Sequence, residues 1–254
     1  MAQVTLIAVP GFPEVGPGTD LPALIVRTLR CADLAPAAGD ALVVAQKIVS
    51  KAEGSVVDLT AVHPGPEAVR IAATIDKDPR LVEVVLREST RVVRAQHGVL
   101  ITEHRLGFIS ANAGVDHSNV GLGPDVVSLL PRDPDGSARA IRDALRAAFD
   151  VPVAVLINDS HGRPHREGAV GVCIGAAGLD PVVSLVGRPD LYGYTLRTSS
   201  EAVADELAGA ATLVQGQCAE AIPVVLIRGL ALAASADGGG AAGLLRDPSR
   251  DLFR

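Results

Sequence analysis

Short apolar runs alternate along the chain with amphipathic stretches, which predicts both strands and helices. Continuous apolar runs of about four to eight residues fit buried strands, whereas apolar residues every three or four positions fit one face of a helix. Strands are predicted over 4–10, 41–45, 98–103, 106–111, 151–157 and 222–227. Helices are predicted over 21–29, 66–76, 79–89 and 138–149, and over a stretch after Thr198 that ends near Gly216. Because these elements mix without a strict βαβ alternation, we expect a mixed α/β or α+β fold.

Local signals refine these expectations. Asp20 is a candidate N-cap for the helix over 21–29. Thr198 with Glu201 forms a capping-box pattern, and the helix that follows would bury Val203, Leu207, Ala210 and Val214 on one face. An extended segment over 168–179 is rich in glycine and small residues, which predicts close approach by other backbones or by a ligand.

The predicted domain organisation is one main folded region and a short C-terminal extension. The region spans 1–234, with room for two intertwined subdomains. Residues 235–243 are rich in glycine and are predicted to be a flexible spacer, and 244–254 are predicted to be a charged tail.

Composition excludes several classes of protein. The chain has 254 residues, a net charge of −6 and only 2% aromatic residues, which argues against a nucleic-acid binder because such proteins need basic surfaces or exposed rings. No apolar run approaches the ~18 residues of a membrane span, and the N-terminus lacks the pattern of a signal peptide. Cys31, Cys173 and Cys218 are widely spaced, so we expect reduced thiols in a cytoplasmic protein.

Familiar nucleotide and hydrolase motifs are missing. The sequence has no GxxxxGK[ST] loop, no GxGxxG after a strand, no HExxH and no GxSxG. Any nucleotide chemistry must therefore use another scaffold.

Three polar segments carry candidate chemistry. In the first, 111–120, Asp116, Ser118 and Asn119 are compact oxygen ligands after an apolar strand. Mg²⁺ prefers such oxygens and commonly bridges substrate phosphates. The alternative is an Asx turn that caps its own backbone.

The second segment, 158–168, follows the predicted strand 151–157. Asp159 would lie at the carboxyl end of that strand, a common ligand position in α/β folds. Arg163 and Arg166 could hold a phosphate or carboxylate. His161 and His165 are predicted to orient a ligand or to be exposed, because they lack metal-ligand spacing. The alternative is a polar surface turn.

The third segment, 46–54, places Lys47 and Lys51 after a buried strand, where they could meet phosphate oxygens. A solvated lysine pair is the alternative. Together, two carboxylates for a divalent ion and several cations for phosphates predict phosphoryl transfer, in which positioning and charge neutralisation dominate.

At these same residues the sequence resembles the coenzyme F420-0:L-glutamate ligase family. The matching stretches occur in order over residues 4–230. They are 11–15 with 17–21, 39–44, 48–54, 111–120, 158–163, 187–193, 202–208 and 222–225 with Arg228-Gly229.

The resemblance implies a fold, a reaction and partners. The fold would be a mixed α/β, two-lobed chain in an intertwined dimer. The reaction would join L-glutamate to the deazaflavin coenzyme F420-0, with GTP as co-substrate and Mg²⁺ or Mn²⁺ as cofactor, in one or two sites, with K⁺ as a further candidate. The acceptor carboxylate would become an acyl phosphate, and the glutamate amine would then form an amide. A second addition would make a γ-glutamyl bond.

Site residues follow by position from the same resemblance. Asp116 and Asp159 would be catalytic and hold the first metal, and Ser160 and Gln217 would serve a second metal. The nucleotide site would comprise Phe12, Pro13, Glu14, Val15, Gln46, Lys47, Lys51, Asn119, Gln215, Gly216, Gln217 and Ile222. Apart from the resemblance, Arg163, His165 and Arg166 of the second polar segment are assigned to substrate or phosphate.

Some residues depart from the family pattern. Many members carry Glu at the position of Gln217, and relatives often carry aromatic or small residues around His161 and His165. The same chemistry on another phosphorylated carboxylate acceptor is therefore one alternative. The others are a nucleotide- or deazaflavin-binding protein without turnover and a metal-dependent phosphohydrolase.

Overall fold

The computed structural model describes residues 3–230, 232, 235 and 238–252. Its largest sheet has the strand order β1 (Thr5–Ala8), β12 (Val224–Arg228), β2 (Ala41–Ala45), β8 (Ala154–Arg163) and β9 (Arg166–Ala177). Strands β2 and β8 are parallel, and the other neighbours are antiparallel. The first four residues of β2, of β12 and of β8 are apolar and buried, because both faces of the sheet are covered there.

Helices cover the two faces of this sheet. Helices α1 (Leu21–Cys31) and α5 (Pro134–Phe149) pack on one face, together with α2 (Gln46–Glu53). Helix α6 (Val203–Gln215) packs on the other face. Strand alternation divides β8 between the two cores, with Val155 and Ile157 in the first and Ala154 and Leu156 in the second.

Two glycines of β9 let helices approach its backbone. A Cβ at Gly171 would collide with Thr212 Oγ1 and with the carbonyl of Ala208 on α6, and one at Gly175 would lie 2.5 Å from the carbonyl carbon of Pro134 on α5. The expected close approach along 168–179 is confirmed, and the approaching groups are helix backbones and a threonine side chain.

A second lobe is inserted between α2 and α5. The chain enters it through β3 (Val56–Asp58) and leaves through β7 (Val126–Ser128), and these two strands pair with each other. Between them lie α3 (Pro66–Ile75), α4 (Pro79–Arg87) and a sheet of β4 (Ser89–Gln96), β5 (Val99–His104) and β6 (Ile109–Ala111). This lobe has its own apolar core.

A hairpin arm projects between β9 and α6. It contains β10 (Val183–Ser184) and β11 (Ser200–Glu201). At its tip Asp190 Oδ1 accepts the N–H groups of Tyr192 and Tyr194, so the turn is internally hydrogen-bonded. Leu191 and Tyr192 are nevertheless 90% and 91% exposed.

Short 3₁₀ turns complete the described elements, at Leu59–Ala61, Asn112–Gly114, Ala241–Leu244 and Pro248–Arg250. The predicted spacer 235–243 and tail 244–254 lie partly outside the described residues. In the described part, Ala241 is buried and its N–H donates to Asp135 Oδ1 at 2.9 Å. The division at residue 234 stays a prediction.

Several predictions from the sequence are confirmed. The class is mixed α/β, and β2 and helices α3 and α4 lie where the pattern placed them. Asp20 caps α1 through the N–H of Ala23. Among the described residues no helix has the length and apolarity needed to cross a membrane.

Other predictions are wrong in detail. The capping box at Thr198 does not form, because Ser200–Glu201 is strand β11 and α6 begins only at Val203. The buried face of α6 holds Ala204, Leu207, Ala208, Ala211 and Gln215, since small residues allow the close approach at Gly171. Strand β8 begins at Ala154 and continues to Arg163, so 158–163 is strand and not a surface turn. Strand β4 and helix α2 were not predicted.

Candidate functional site

A cleft of about 740 Å³ opens where the two lobes meet, at the carboxyl end of β2 and beside the middle of β8. This is the edge at which ligands usually bind in sheets with parallel strands. Its walls come from the loop after β1, the start of α2, the segment before β7, the middle of β8 and the loop after α6.

The start of α2 forms the floor of the cleft. Ala45 is both the last residue of β2 and the N-cap of α2, so the chain turns from strand to helix without a loop. No side chain caps the first turn, and Ala45 to Ile48 line the cleft. A helix N-terminus with free N–H groups carries a partial positive charge and favours anions.

Asp159 lies beside this helix because of strand register. Ala45, the last residue of β2, pairs with Asn158 in the parallel ladder, so the residues that follow them, Gln46 of α2 and Asp159 of β8, are neighbours. The buried Gln46 donates from Nε2 to Asp159 Oδ1 at 3.3 Å, and Ser50 Oγ donates to Gln46 Oε1 at 2.9 Å. The carboxylate is thus fixed to α2.

Asp116 reaches the same helix from the second lobe. It forms an isolated bridge with Ser128 of β7, and Lys47 Nζ donates to Asp116 Oδ2 at 2.8 Å and to Ser128 Oγ at 2.9 Å. Ser118 donates to both carboxylate oxygens, through its N–H and its hydroxyl. Burial opposes ionisation, but the hydrogen bonds from Lys47 and Ser118 outweigh it and hold the pKa of Asp116 below its ordinary value.

A second lysine lies one turn along α2. Lys51 is buried and lines the cleft, with Nζ 3.8 Å from Glu14 Oε1. Glu14 belongs to the segment Phe12–Val15, all of which lines the cleft. Two lysine ammonium groups therefore lie on the cleft side of one helix.

The loop after α6 forms the opposite wall. Gln215 is buried and forms two hydrogen bonds with Asn158. Asn158 Nδ2 donates to Gln215 Oε1 at 2.7 Å, and Gln215 Nε2 donates to Asn158 Oδ1 at 3.2 Å. Asn119 Nδ2 donates to the carbonyl of Cys218 at 3.1 Å, which ties the second lobe to this loop. Gln217 is exposed at the cleft, and Ser160 lines it from β8.

Most residues expected at the site line this cleft. They are Phe12, Pro13, Glu14, Val15, Gln46, Lys47, Lys51, Asp116, Asn119, Asp159, Ser160, Gln215, Gly216, Gln217 and Ile222. Arg163, His165 and Arg166 do not line it. They lie at the tip of the β8–β9 hairpin, where Arg163 Nη1 donates to the carbonyl of Gly168 at 3.0 Å.

Three further polar groups were missed, of which Asn158 and Glu220 line the cleft and Ser128 lies behind Lys47. Ser128 Oγ accepts a hydrogen bond from Lys47 Nζ, but the apolar residues around it in the sequence do not mark it as a site residue. Asn158 was within a singled-out segment, and its contact with Gln215 depends on the packing of α6. Glu220 folds over Gly216, and its Oε2 accepts the N–H of Cys218 at 2.8 Å. That hydrogen bond, with others from nearby backbone, lowers the pKa of Glu220.

The donor set of the cleft suits a hard divalent cation. Among the described residues no three His, Cys, Asp or Glu side chains are grouped as a preformed metal site. However, Mg²⁺ needs only one or two protein carboxylates when substrate phosphates and water supply the other oxygens. Asp116, Asp159 and Ser160 offer such oxygens, so the residues fit a cation that binds together with a phosphate ligand.

Comparison with known proteins identifies relatives over nearly the whole chain. The family described as F420-0:Gamma-glutamyl ligase matches residues 11–229. A coenzyme F420:L-glutamate ligase of Methanothermobacter thermautotrophicus is 47% identical over 251 residues, 99% of each chain. Ligases of the same name from Methanopyrus kandleri and Methanocaldococcus jannaschii are 45% and 41% identical. These alignments cover 95% and 85% of this chain, and 94% and 85% of the relatives.

Proposed function

Since this chain belongs to the F420-0:gamma-glutamyl ligase family and is a ligase, we propose that it adds L-glutamate to coenzyme F420-0 at the cleft between its lobes. The reaction would use GTP and a divalent cation and pass through an acyl phosphate. It would make an amide bond first and a γ-glutamyl bond on a second addition.

One observation carries this proposal. Consecutive residues at the start of α2, Gln46 and Lys47, contact the two acidic residues Asp159 and Asp116. Acidic residues for a cation thus lie beside a helix N-terminus and two lysines. This combination supports binding of a nucleoside triphosphate together with a divalent metal ion.

The proposed chemistry has two balanced steps. A carboxylate oxygen of the acceptor attacks the γ-phosphorus of GTP, the bond to the β-phosphate oxygen breaks, and an acyl phosphate and GDP form. The glutamate amine then attacks the acyl carbon, phosphate leaves, and the amine releases a proton. Both steps move negative charge onto phosphate oxygens, where preorganised cations stabilise the transition state.

Residue roles follow from position. Lys47 and Lys51 would contact phosphate oxygens, and the first turn of α2 would donate backbone N–H groups. Asp116, Asp159, Ser160 and Gln217 would hold Mg²⁺ or Mn²⁺, which neutralises phosphate charge when bound. Lys47 donates to Asp116, so the ammonium that would contact phosphate lies beside a carboxylate that would hold the metal ion.

The decisive experiment is a mass-spectrometric assay of the purified protein with F420-0, L-glutamate, GTP and Mg²⁺ or Mn²⁺. A product heavier by one or more glutamyl units, formed only with nucleotide and metal, is expected. Consumption of GTP with the coenzyme unchanged would indicate another acceptor. Phosphate release without glutamate would indicate a phosphohydrolase, and no turnover with any nucleotide would indicate a binding protein.

We propose further that the arm between β9 and α6 contributes to a homodimer. Its tip exposes Leu191 and Tyr192 on a preformed turn, and aromatic and aliphatic side chains held in this way are typical of interface centres. Sedimentation velocity of the purified chain tests whether it is a dimer.

A further inference from the structure

Asp159 has a second partner on the side away from Gln46. His161 lies two residues further along β8, so both side chains lie on the same face of the strand. His161 Nε2 is 3.0 Å from Asp159 Oδ2, and the two side chains are only 12% and 15% exposed. Since an ionised carboxylate only accepts hydrogen bonds, Nε2 carries the hydrogen in this contact.

The ring of His161 rests on a column of rings. Phe108 lies with its ring centroid 5.1 Å from that of His161, and it stacks on His104 at 5.2 Å with 6° between the planes. His104 is fully buried, and its Nδ1 accepts the N–H of Leu106 at 3.0 Å. Column residues 104 and 108 belong to the second lobe, so the column joins the two lobes beneath Asp159.

The carboxylate of Asp159 is therefore held on both oxygens. Gln46 binds Oδ1 and His161 binds Oδ2. A carboxylate has about four lone-pair directions, so two remain for a ligand in the cleft. Because the carboxylate is held in place, its two remaining lone-pair directions are fixed before a ligand binds, and less reorganisation is needed on binding.

We propose that His161, supported by Phe108, is a positioning residue that orients the Asp159 carboxylate toward the cation in the cleft. This inference rests on the proposed function for the identity of the ligand. Neither ring lines the cleft, so both act through Asp159 and do not touch the substrate.

The test uses three variants of the full chain and one control. His161→Leu replaces the N–H donor with an apolar side chain, and His161→Gln keeps an N–H donor. Phe108→Leu removes the aromatic ring that contacts His161. His63→Leu changes an exposed histidine outside the cleft and serves as control. The readouts are the Kd of Mn²⁺ with GTP present, by electron paramagnetic resonance, and the melting temperature of each variant.

Loss of a residue that orients a metal ligand weakens metal binding by about 10- to 100-fold. We expect H161L to show a loss in this range at an unchanged folded fraction, H161Q to recover most of it, and F108L to lie between wild type and H161L. The control should match wild type. Wild-type Mn²⁺ affinity in H161L, or equal losses in H161L and H161Q, would overturn the proposal.

Crystal structures of the ligand-free wild type and H161L separate this inference from the proposed function. The Asp159 carboxylate should leave its position against Gln46 in H161L and keep it in H161Q. An unmoved carboxylate in H161L overturns the positioning role even if the wild type proves to be an active ligase. If the wild type neither binds Mn²⁺ nor makes product, the proposed function fails, and the position of Asp159 still decides the role of His161.

Discussion

Lys47 Nζ lies 2.8 Å from Asp116 Oδ2, and this contact joins the first turn of α2 to the second lobe. The two side chains are 69 residues apart in sequence. Their side chains are 17% and 46% exposed, so the ammonium is the more buried partner. The contact holds the Lys47 ammonium and the Asp116 carboxylate together in the cleft before any ligand binds.

Lys47→Met should lower kcat/KM by about 100-fold or more, the usual effect of removing one preorganised donor to a charged transition state. Arg27→Met, which removes an exposed cation from α1, should leave activity unchanged. Steady-state kinetics with varied GTP checks both. Wild-type kinetics in K47M would exclude Lys47 from the nucleotide site.

Asp159→Asn should keep the fold and lose more than about 100-fold in metal-dependent turnover, because a charged ligand to the cation becomes neutral. Asp33→Asn is a matched control, since Asp33 is exposed and its positive φ of 54° is tolerated by asparagine. Turnover is measured across a Mn²⁺ titration. Activity equal to wild type would refute the metal assignment.

Gly171→Ala should destabilise the fold by about 1–3 kcal/mol, because its methyl group would overlap Thr212 and the backbone of α6. Gly162→Ala in β8 of the same hairpin meets nothing within 4 Å and should change stability by less than about 0.5 kcal/mol. Urea denaturation measures both. Equal stabilities would show that α6 can shift without loss.

Asp78 gives a pH-dependent prediction. Its Oδ1 accepts the N–H of Arg80 at 2.8 Å as the N-cap of α4, and its Oδ2 accepts from the Arg80 guanidinium at 2.6 Å. The guanidinium bond, followed by the backbone bond, outweighs burial and lowers the pKa of Asp78 below 3.8. A lowered folded-state pKa means that this stabilisation is complete above pH 3.8 and is lost as pH falls through the folded value.

Asp78→Ala should therefore cost about 1 kcal/mol at pH 7, as the loss of an N-cap usually does. The difference from wild type should shrink below pH 3.8. Urea denaturation at neutral and acid pH measures it. A difference that is constant with pH would contradict the assigned role of the carboxylate.

The double variant Leu191→Ser with Tyr192→Ser should convert the proposed dimer to a monomer with an unchanged melting temperature at low concentration. Val69→Ser, at an exposed position of α3, is the control. Sedimentation velocity distinguishes the species. A dimer that persists in the double variant would move the interface elsewhere.

The sequence was informative where burial is uniform. Residues 41–45 are apolar throughout because β2 is covered on both faces, and that pattern predicts a strand without knowledge of its neighbours. Strand β4 was missed because it is an edge strand with many exposed polar residues. The capping box failed because Thr198 lies in the arm, and pairing of β11 with β10 competes with helix formation.

The candidate site was predictable in part for a similar reason. Asp116, Asp159 and the two lysines follow apolar runs, so spacing alone marks them as groups near strand ends. Their pairing depends on the path of the second lobe, which local patterns do not encode. Gln217 came from the family resemblance alone, since the sequence around it gives no chemical signal.

The pairing of β3 with β7 has a mechanical consequence. Both covalent connections between the lobes run through this one two-stranded ribbon, with Val56 opposite Ser128. Twisting the ribbon would rotate the second lobe as a rigid body relative to the first. Ser128 of this ribbon also accepts a hydrogen bond from Lys47, whose side chain lines the cleft. Rotation about this ribbon would separate Lys47 from Asp116 and Asn119 from Cys218, the hydrogen-bonded pairs that join the lobes across the cleft.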